Sequence, residues 1–212
     1  MPETAVQRFY RVQARIYDAT RWAFLPGRRA AIAALALQPD SRVLELGCGT
    51  GLSFRRILSQ LDPARGTLTA VDFSPDMLAR ARRRVARHRW NNVELIRDDV
   101  TALQLDQRFD AVLFAYSINM VPDWQAALDR AVAHLAPGGR LALIDFGDFA
   151  GWGPGGAALR AWLRANHVET GRPYADELRR RLGNCTFRPH AGGYYFIAAA
   201  CKPEHPASEP RA

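Results

Sequence analysis

An apolar run carrying one acid, Val43-Leu44-Glu45-Leu46, passes directly into Gly47-Cys48-Gly49-Thr50-Gly51. Such a run reads as a buried strand, and glycine at every second position lets the next turn approach a ligand closely before a helix opens near Thr50. About twenty residues later Thr69-Ala70-Val71-Asp72-Phe73-Ser74 repeats the pattern of a strand ending in an acid. A carboxylate at that strand end can accept both hydroxyls of a ribose. Together the two segments describe a nucleotide-like cofactor site in an α/β fold.

Spacing removes two common nucleotide sites. A dinucleotide fingerprint needs Gly-x-Gly-x-x-Gly, and counting from Gly47 through Gly49 places Leu52 at the third glycine. A phosphate-cradling Gly-Lys-Ser/Thr loop is excluded because the only lysine of the chain is Lys202.

Strand and helix patterns alternate from Ser41 onward, which predicts a doubly wound, mostly parallel sheet with helices on both faces. The strand segments are Arg42 to Leu46, Thr67 to Asp72, Val93 to Arg97, Ala111 to Tyr116, Arg140 to Phe146 and Tyr194 to Cys201. The helices are Gly51 to Gln60, Pro75 to Arg89, Trp124 to Leu135, Gly155 to Asn166 and Tyr174 to Leu182. Ser74-Pro75 is an N-cap followed by proline at the first helical position, and Pro137-Gly138-Gly139 is a helix stop leading into a strand. Ligands of such sheets sit beyond the carboxyl ends of the strands, so Glu45, Asp72, Asp99, Tyr116 and Asp145 are expected to converge on one crevice.

The pattern acid-x-Gly-x-Gly-x-Gly with the downstream Asp72 resembles the first two motifs of class I S-adenosylmethionine-dependent methyltransferases. Ile96-Arg97-Asp98-Asp99-Val100 resembles the third motif, in which the acid takes the adenine amino group and the next backbone unit reads the ring edge. The family often has glycine before that acid, so whether Asp98 or Asp99 faces the ring is left open. Phe109 to Tyr116 and Leu135 to Leu141 resemble the fourth-strand and fifth-strand blocks, and the resemblance covers Ser41 to Phe146 in register. It implies a seven-stranded Rossmann-like methyltransferase sheet and S-adenosylmethionine as cofactor. It places Glu45, Gly47, Cys48, Gly49, Gly51, Asp72, Phe73, Met77, Asp99, Val100 and Tyr116 at that cofactor.

Methyl transfer from a sulfonium is an in-line displacement that rests on positioning and desolvation, so no Cys or Ser nucleophile is required. Tyr17 and Tyr116 are the catalytic candidates, each a phenol able to orient an acceptor amine. His134 reads as a helix C-terminal residue. The chain lacks the Asp/Asn-Pro-Pro-Tyr tetrapeptide of nucleic-acid amino methyltransferases after strand four and has no appended recognition domain, so nucleic acid is not the expected substrate. Ala14 to Trp22, Tyr116 to Trp124 and Gly192 to Ala198 resemble bacterial lipid-headgroup N-methyltransferases of the phosphatidylethanolamine and betaine-lipid types. That resemblance implies an amino lipid headgroup (phosphatidylethanolamine or diacylglyceryl-homoserine type) as acceptor, with Tyr10, Arg21, Trp22, Asn119, His167 and Tyr194 at the substrate. Repeated N-methylation ends in a quaternary ammonium, which aromatic faces hold best; Tyr10, Tyr17, Trp22, Tyr116, Trp152 and Tyr194 are the cage candidates. The alternatives are a small-molecule or quinone-ring C/O-methyltransferase and a cofactor-binding protein without catalysis.

The domain reading is an N-terminal helical lid over 1–40, a methyltransferase domain over 41–202 and a disordered Pro-rich tail over 203–212. No sustained apolar segment of membrane-spanning length occurs, which predicts a cytoplasmic protein, and the aromatic and basic N-terminal segment with Trp22 and Phe24 adds an expected peripheral contact with the inner membrane face. Cys48, Cys185 and Cys201 lack paired Cys or His spacing, so neither a disulfide framework nor a metal site is expected. The net charge of +8 suits an anionic surface, although 28 of the 29 basic residues are arginine, which base composition alone can favour. Arg80 to Arg89 holds six of those arginines and reads as a solvated helix face, because Met77, Leu78, Ala81 and Val85 form the apolar stripe. The oligomeric state is not readable from the chain.

Overall fold

The computed structural model describes residues 25–204. Seven strands form one sheet: β1 (Arg42–Leu46), β2 (Thr67–Asp72), β3 (Val93–Arg97), β4 (Phe109–Ala115), β5 (Leu135–Phe146), β6 (Thr186–His190) and β7 (Tyr195–Cys201). Their order is β3-β2-β1-β4-β5-β7-β6. The first five strands run parallel, with Glu45 level with Ala70 on one side and Leu113 on the other, while β7 inserts antiparallel beside β5 and β6 pairs antiparallel with β7. This is the doubly wound seven-stranded sheet that the motifs imply. The chain reverses its winding direction between β1 and β4, and ligands of open α/β sheets bind at that switch point.

Strand residues alternate between two cores. Val43, Leu68, Ala70, Ala111, Leu113 and Ile144 face α1 (Arg28–Ala34), α2 (Phe54–Leu58) and α3 (Pro75–His88), which bury Ile32, Phe54, Ile57, Leu78 and Ala81 there. Leu44, Leu46, Val71, Val112, Phe114 and Leu143 face the other way, toward α4 (Trp124–His134) and α6 (Tyr174–Leu182). A smaller cluster of Phe149, Leu163 and Val168 seats α5 (Gly153–Ala165). The near-continuous burial of β1, β4 and β5 follows from helices covering both faces of parallel strands.

Several boundaries differ from the sequence reading. The helix expected over Gly51 to Gln60 shrinks to Phe54–Leu58, because Gly51 takes φ 78° and three turn residues intervene. The Pro137-Gly138-Gly139 segment is not a gap between helix and strand but part of β5, tied by Gly138 N–H to Lys202 O and by Lys202 N–H to Gly139 O. β6 falls outside the expected strand segments: Thr186-Phe187-Arg188-Pro189-His190 lies exposed at the sheet edge, where alternation is not required and proline is tolerated. Residues 25–40, read as lid, are partly core, since Ala31, Ile32 and Leu35 are buried under the sheet. Positions 1–24 and 205–212, including most of the expected lid and tail, lie outside the described residues. No helix among the described residues is long and apolar enough to cross a membrane.

Candidate active site

The carboxyl ends of β1, β2 and β4 open onto a cavity of about 430 Å³. The glycine turn forms its floor. Gly47 and Cys48 both donate their N–H to Val71 O at 2.9 Å, which docks the turn onto the end of β2. Gly47 has φ 69°, and a Cβ there would lie 2.5 Å from Ser117 Cβ. That serine donates in turn to Leu46 O at 2.8 Å, so turn and post-β4 loop are locked together. Gly49, at φ 55°, is different: a Cβ on it meets nothing within 4 Å, because this glycine lines the cavity.

Asp72 ends β2 with both carboxylate oxygens already oriented. Oδ2 accepts from Gly49 N–H at 2.7 Å and Oδ1 from Ser74 N–H at 2.8 Å. Burial raises its pKa while these two bonds oppose the rise, and each oxygen keeps further acceptor capacity for a ligand hydroxyl. Ser74 also caps α3 by accepting from Met77 N–H at 3.3 Å, which brings Met77 and the half-exposed ring of Phe73 to the cavity wall.

Glu45 is 2% exposed at the cavity floor. Burial pushes its carboxyl up to about 7; a hydrogen bond with Ser53 and the charge of Arg28 oppose the rise, and Asp72 adds to it. Its Oε2 has no hydrogen-bond partner among the described residues. Opposite in charge, Arg28 also lines the cavity, with Nη1 donating to Leu25 O at 3.2 Å and Cζ 4.9 Å from the Tyr116 ring centroid. Its Nε is buried and likewise without a partner among the described residues. A buried orphan acceptor and a buried orphan donor are costly unless a ligand completes them.

Of the two acids after β3, Asp99 lines the cavity, whereas Asp98 turns its Oδ1 onto Asp99 N–H at 2.8 Å. Asp99 Oδ1 accepts from Thr101 N–H and hydroxyl, and Val100 completes that wall. Glu45, Gly47, Cys48, Gly49, Asp72, Phe73, Met77, Asp99, Val100 and Tyr116 thus meet around one cavity. Gly51 does not line it; a Cβ there would strike the Phe54 ring at 2.6 Å, which makes this glycine a packing requirement of α2.

Tyr116 leaves β4 with φ 60° and presents its ring to the cavity. Its hydroxyl donates to Pro26 O at 2.7 Å, and burial raises its pKa far above the usual phenol value. The ring is therefore available to a ligand, while the hydroxyl is committed to holding the start of α1.

Four residues expected at the crevice sit elsewhere. Asp145 is buried, accepting from Asn119 N–H at 3.0 Å and Phe146 N–H at 2.8 Å. Asn119 is 1% exposed and spends its amide on Phe146 O (2.8 Å) and on the hydroxyl of Tyr174 (2.7 Å), so it braces the loop instead of lining the cavity. His167 is exposed beyond the end of α5. Tyr194 stacks on Trp152 at 5.6 Å and meets Phe146 and Phe149 edge-on, so these rings pack on one another and do not frame the cavity. Tyr10, Tyr17, Arg21 and Trp22 lie outside the described residues. His134 is a buried helix-end residue, with Nε2 accepting from Leu105 N–H at 2.9 Å.

Sequence reasoning missed Arg28, which is one arginine among 28. Pro26-Gly27 ahead of an apolar repeat was the available signal for a helix start at that point. It also missed Met120, Val121 and Pro122, which form an apolar wall after β4.

Residues 43–139 match the family described as methyltransferase domain. The chain is 34% identical over 184 residues to the biotin biosynthesis bifunctional protein BioCD of Bordetella avium, covering 83% of this chain and 37% of that protein. It is 39% identical over 120 residues to the demethylmenaquinone methyltransferase of Thermus thermophilus, covering 56% and 53%. The chain thus spans about a third to a half of the length of these relatives. Among solved structures, a DhpI complex with SAH superposes with a TM-score of 0.66 at 26% identity, covering 93% of this chain and 94% of that one.

Proposed function

We propose, from the match of residues 43–139 to a methyltransferase domain and from the cavity's lining, that the protein is an S-adenosylmethionine-dependent methyltransferase acting on the amine of a lipid headgroup, of the phosphatidylethanolamine or diacylglyceryl-homoserine type, at the inner membrane face. The observation that carries the cofactor assignment is that Glu45 and Arg28, each with a buried polar atom lacking a partner among the described residues (Oε2 and Nε), both line one cavity. An acid and a guanidinium there match the ammonium and carboxylate of an amino-acid moiety. Asp72, with its remaining acceptor capacity, meets ribose hydroxyls, and Asp99 with Val100 and Phe73 meets the base. Gly49 leaves room for the ligand to lie against the turn.

When bound, S-adenosylmethionine supplies a methyl group on a cationic sulfur. The chain's own contribution is to orient and to desolvate. The face of the Tyr116 ring, already within reach of the Arg28 cation, suits a positively charged neighbour. Met120, Val121 and Pro122 exclude water from the acceptor side, where an amine must present its lone pair unprotonated. Tyr17 is the proposed second phenol at the acceptor. The headgroup assignment draws on the resemblance of the Tyr116 to Trp124 and Gly192 to Ala198 segments to lipid-headgroup enzymes.

A second reading, methylation of a quinone ring or another small molecule, is favoured by the likeness to a demethylmenaquinone methyltransferase. Incubation of purified protein with methyl-labelled cofactor, extracted amino lipids and a demethylated quinone separates the readings. Label in the amino-lipid fraction is expected. Label in the quinone or in the aqueous phase overturns the lipid assignment, and absence of turnover despite binding of the demethylated cofactor product identifies a protein without catalysis.

A further inference from the structure

We propose that the helical layer of α1, α2 and α3 is a docking face for an anionic bilayer, with the arginine stripe of α3, packed over the edge strand β3, as its main contact. The proposal builds on the lipid-acceptor reading and assigns it a surface. The charge of the chain is lopsided along the fold. Residues 28–97, which supply α1, α2, α3 and strands β1 to β3, hold 13 arginines and 6 acids, whereas residues 98–204 hold 11 basic and 12 acidic residues. Base composition would raise arginine in both halves and does not explain why acids match it in only one.

The pairing differs in the same way. On α6, Arg179 pairs with Asp176, Arg180 with Glu177, and Arg181 with both Asp129 and Glu177. On α3 the single acid is Asp76 in the first turn, and Arg80, Arg82, Arg83, Arg87 and Arg89 make no ion pair among the described residues. Arg80, Arg83 and Arg87 recur at helical spacing on the side of α3 turned away from the apolar stripe it buries, along a helix of about 21 Å. Unpaired like charges at this density repel one another, and a polyanion relieves that repulsion.

The chemistry of the stripe favours a lipid surface over a nucleic acid. Between its arginines α3 offers only alanine and valine, with no amide or hydroxyl side chain after the Ser74 cap; its one exposed ring is His88 at the C-terminal end, already stacked on Trp90 at 4.6 Å. Along its length it can meet phosphates but offers no amide or hydroxyl to read a base edge. The N-terminus of α3 also carries Met77 and follows Phe73 and Ser74, all at the cavity wall, so the face adjoins the site where a headgroup is expected to react.

Vesicle sedimentation tests the proposal without depending on turnover. The probes are phosphatidylcholine vesicles with and without phosphatidylglycerol, neither of them an amine acceptor of the proposed reaction. The wild type is expected to sediment only with the anionic vesicles and to be released by salt. A triple variant Arg80→Gln, Arg83→Gln, Arg87→Gln is expected to lose partitioning by tenfold or more, since each basic residue near such a surface is worth about fivefold. A charge-matched control, Arg140→Gln, Arg164→Gln, Arg188→Gln, removes the same charge from the other half and is expected to sediment like wild type. Calorimetric binding of the demethylated cofactor product confirms that each variant is folded. Equal loss in both triple variants, no sedimentation of the wild type, or tighter α3-dependent binding to a short RNA than to vesicles overturns the proposal. Vesicle binding without lipid methylation would instead leave the docking face standing and remove the acceptor assignment.

Discussion

Glu45 makes the sharpest demand on the solvent conditions of this protein. Burial pushes its carboxyl up to about 7 from the ordinary 4.5, so the unliganded fold favours the neutral acid. The native state therefore holds a proton that the unfolded chain releases between those values. The associated stability, roughly 3 kcal/mol, is fully present below about pH 4.5 and is lost as pH rises through about 7. An ammonium group beside Oε2 reverses the preference and requires the carboxylate. Affinity for the demethylated cofactor product is thus expected to rise about tenfold per pH unit on approaching 7 from below and to level off above it. Binding on the acid side should release about one proton, measurable by calorimetry in buffers of different ionisation enthalpy. Glu45→Gln should bind more weakly with a flat profile; an unchanged slope in that variant would remove Glu45 from contact with the ligand. Glu45 and Asp72 were legible in the sequence because an acid inside an apolar run next to glycines has few structural uses. Arg28 was not, because the groups it meets, the Tyr116 ring and Glu45, come from other elements of the fold and its residue type is the commonest charge of the chain.

At the scale of elements, the turn between β1 and α2 separates two glycine roles that the sequence presents as one repeat. Gly47 and Gly49 both need the left-handed backbone, and alanine there costs about 1 kcal/mol in conformation. Gly47→Ala adds a collision with Ser117, whose hydroxyl bonds Leu46 O, so the post-β4 loop must move. Its total cost is expected to be about 3 kcal/mol in denaturant unfolding, against about 1 kcal/mol for Gly49→Ala. Ligand binding should show the opposite order of severity relative to stability, since the Gly49→Ala methyl projects into the cavity. Equal stability losses would mean that the turn and the loop are not coupled. Elements whose period reflects burial were read correctly, as with Tyr174–Leu182, where Leu178 and Leu182 repeat under Tyr174. Elements held by pairing alone were not: β6 has no buried face, and the first residues of β5 join the strand through Lys202, 63 or more residues away along the chain.

Across the whole molecule, each central strand contributes alternate residues to two cores, Leu44 to one and Val43 to the other, so neither helical layer can detach without exposing the sheet that the other covers. Heat should therefore unfold residues 25–204 in a single transition by both far-ultraviolet and tryptophan signals. The cavity sits at the ends of β1, β2 and β4, and its lining comes from α1, the glycine turn and the β2, β3 and β4 ends together. A ligand bridging those elements stabilises all of them or none. With the demethylated cofactor product at about a hundred times its dissociation constant, native-state binding contributes about 2.7 kcal/mol. For a chain of this size that corresponds to a rise in Tm of about 5–10 °C. Asp72→Ala loses the carboxylate that orders Gly49 N–H and Ser74 N–H, and should show no shift at the same ligand concentration. A wild type that melts in two steps, with only one of them moved by ligand, would place the cavity on a separable part of the fold and contradict the shared sheet as the source of cooperativity.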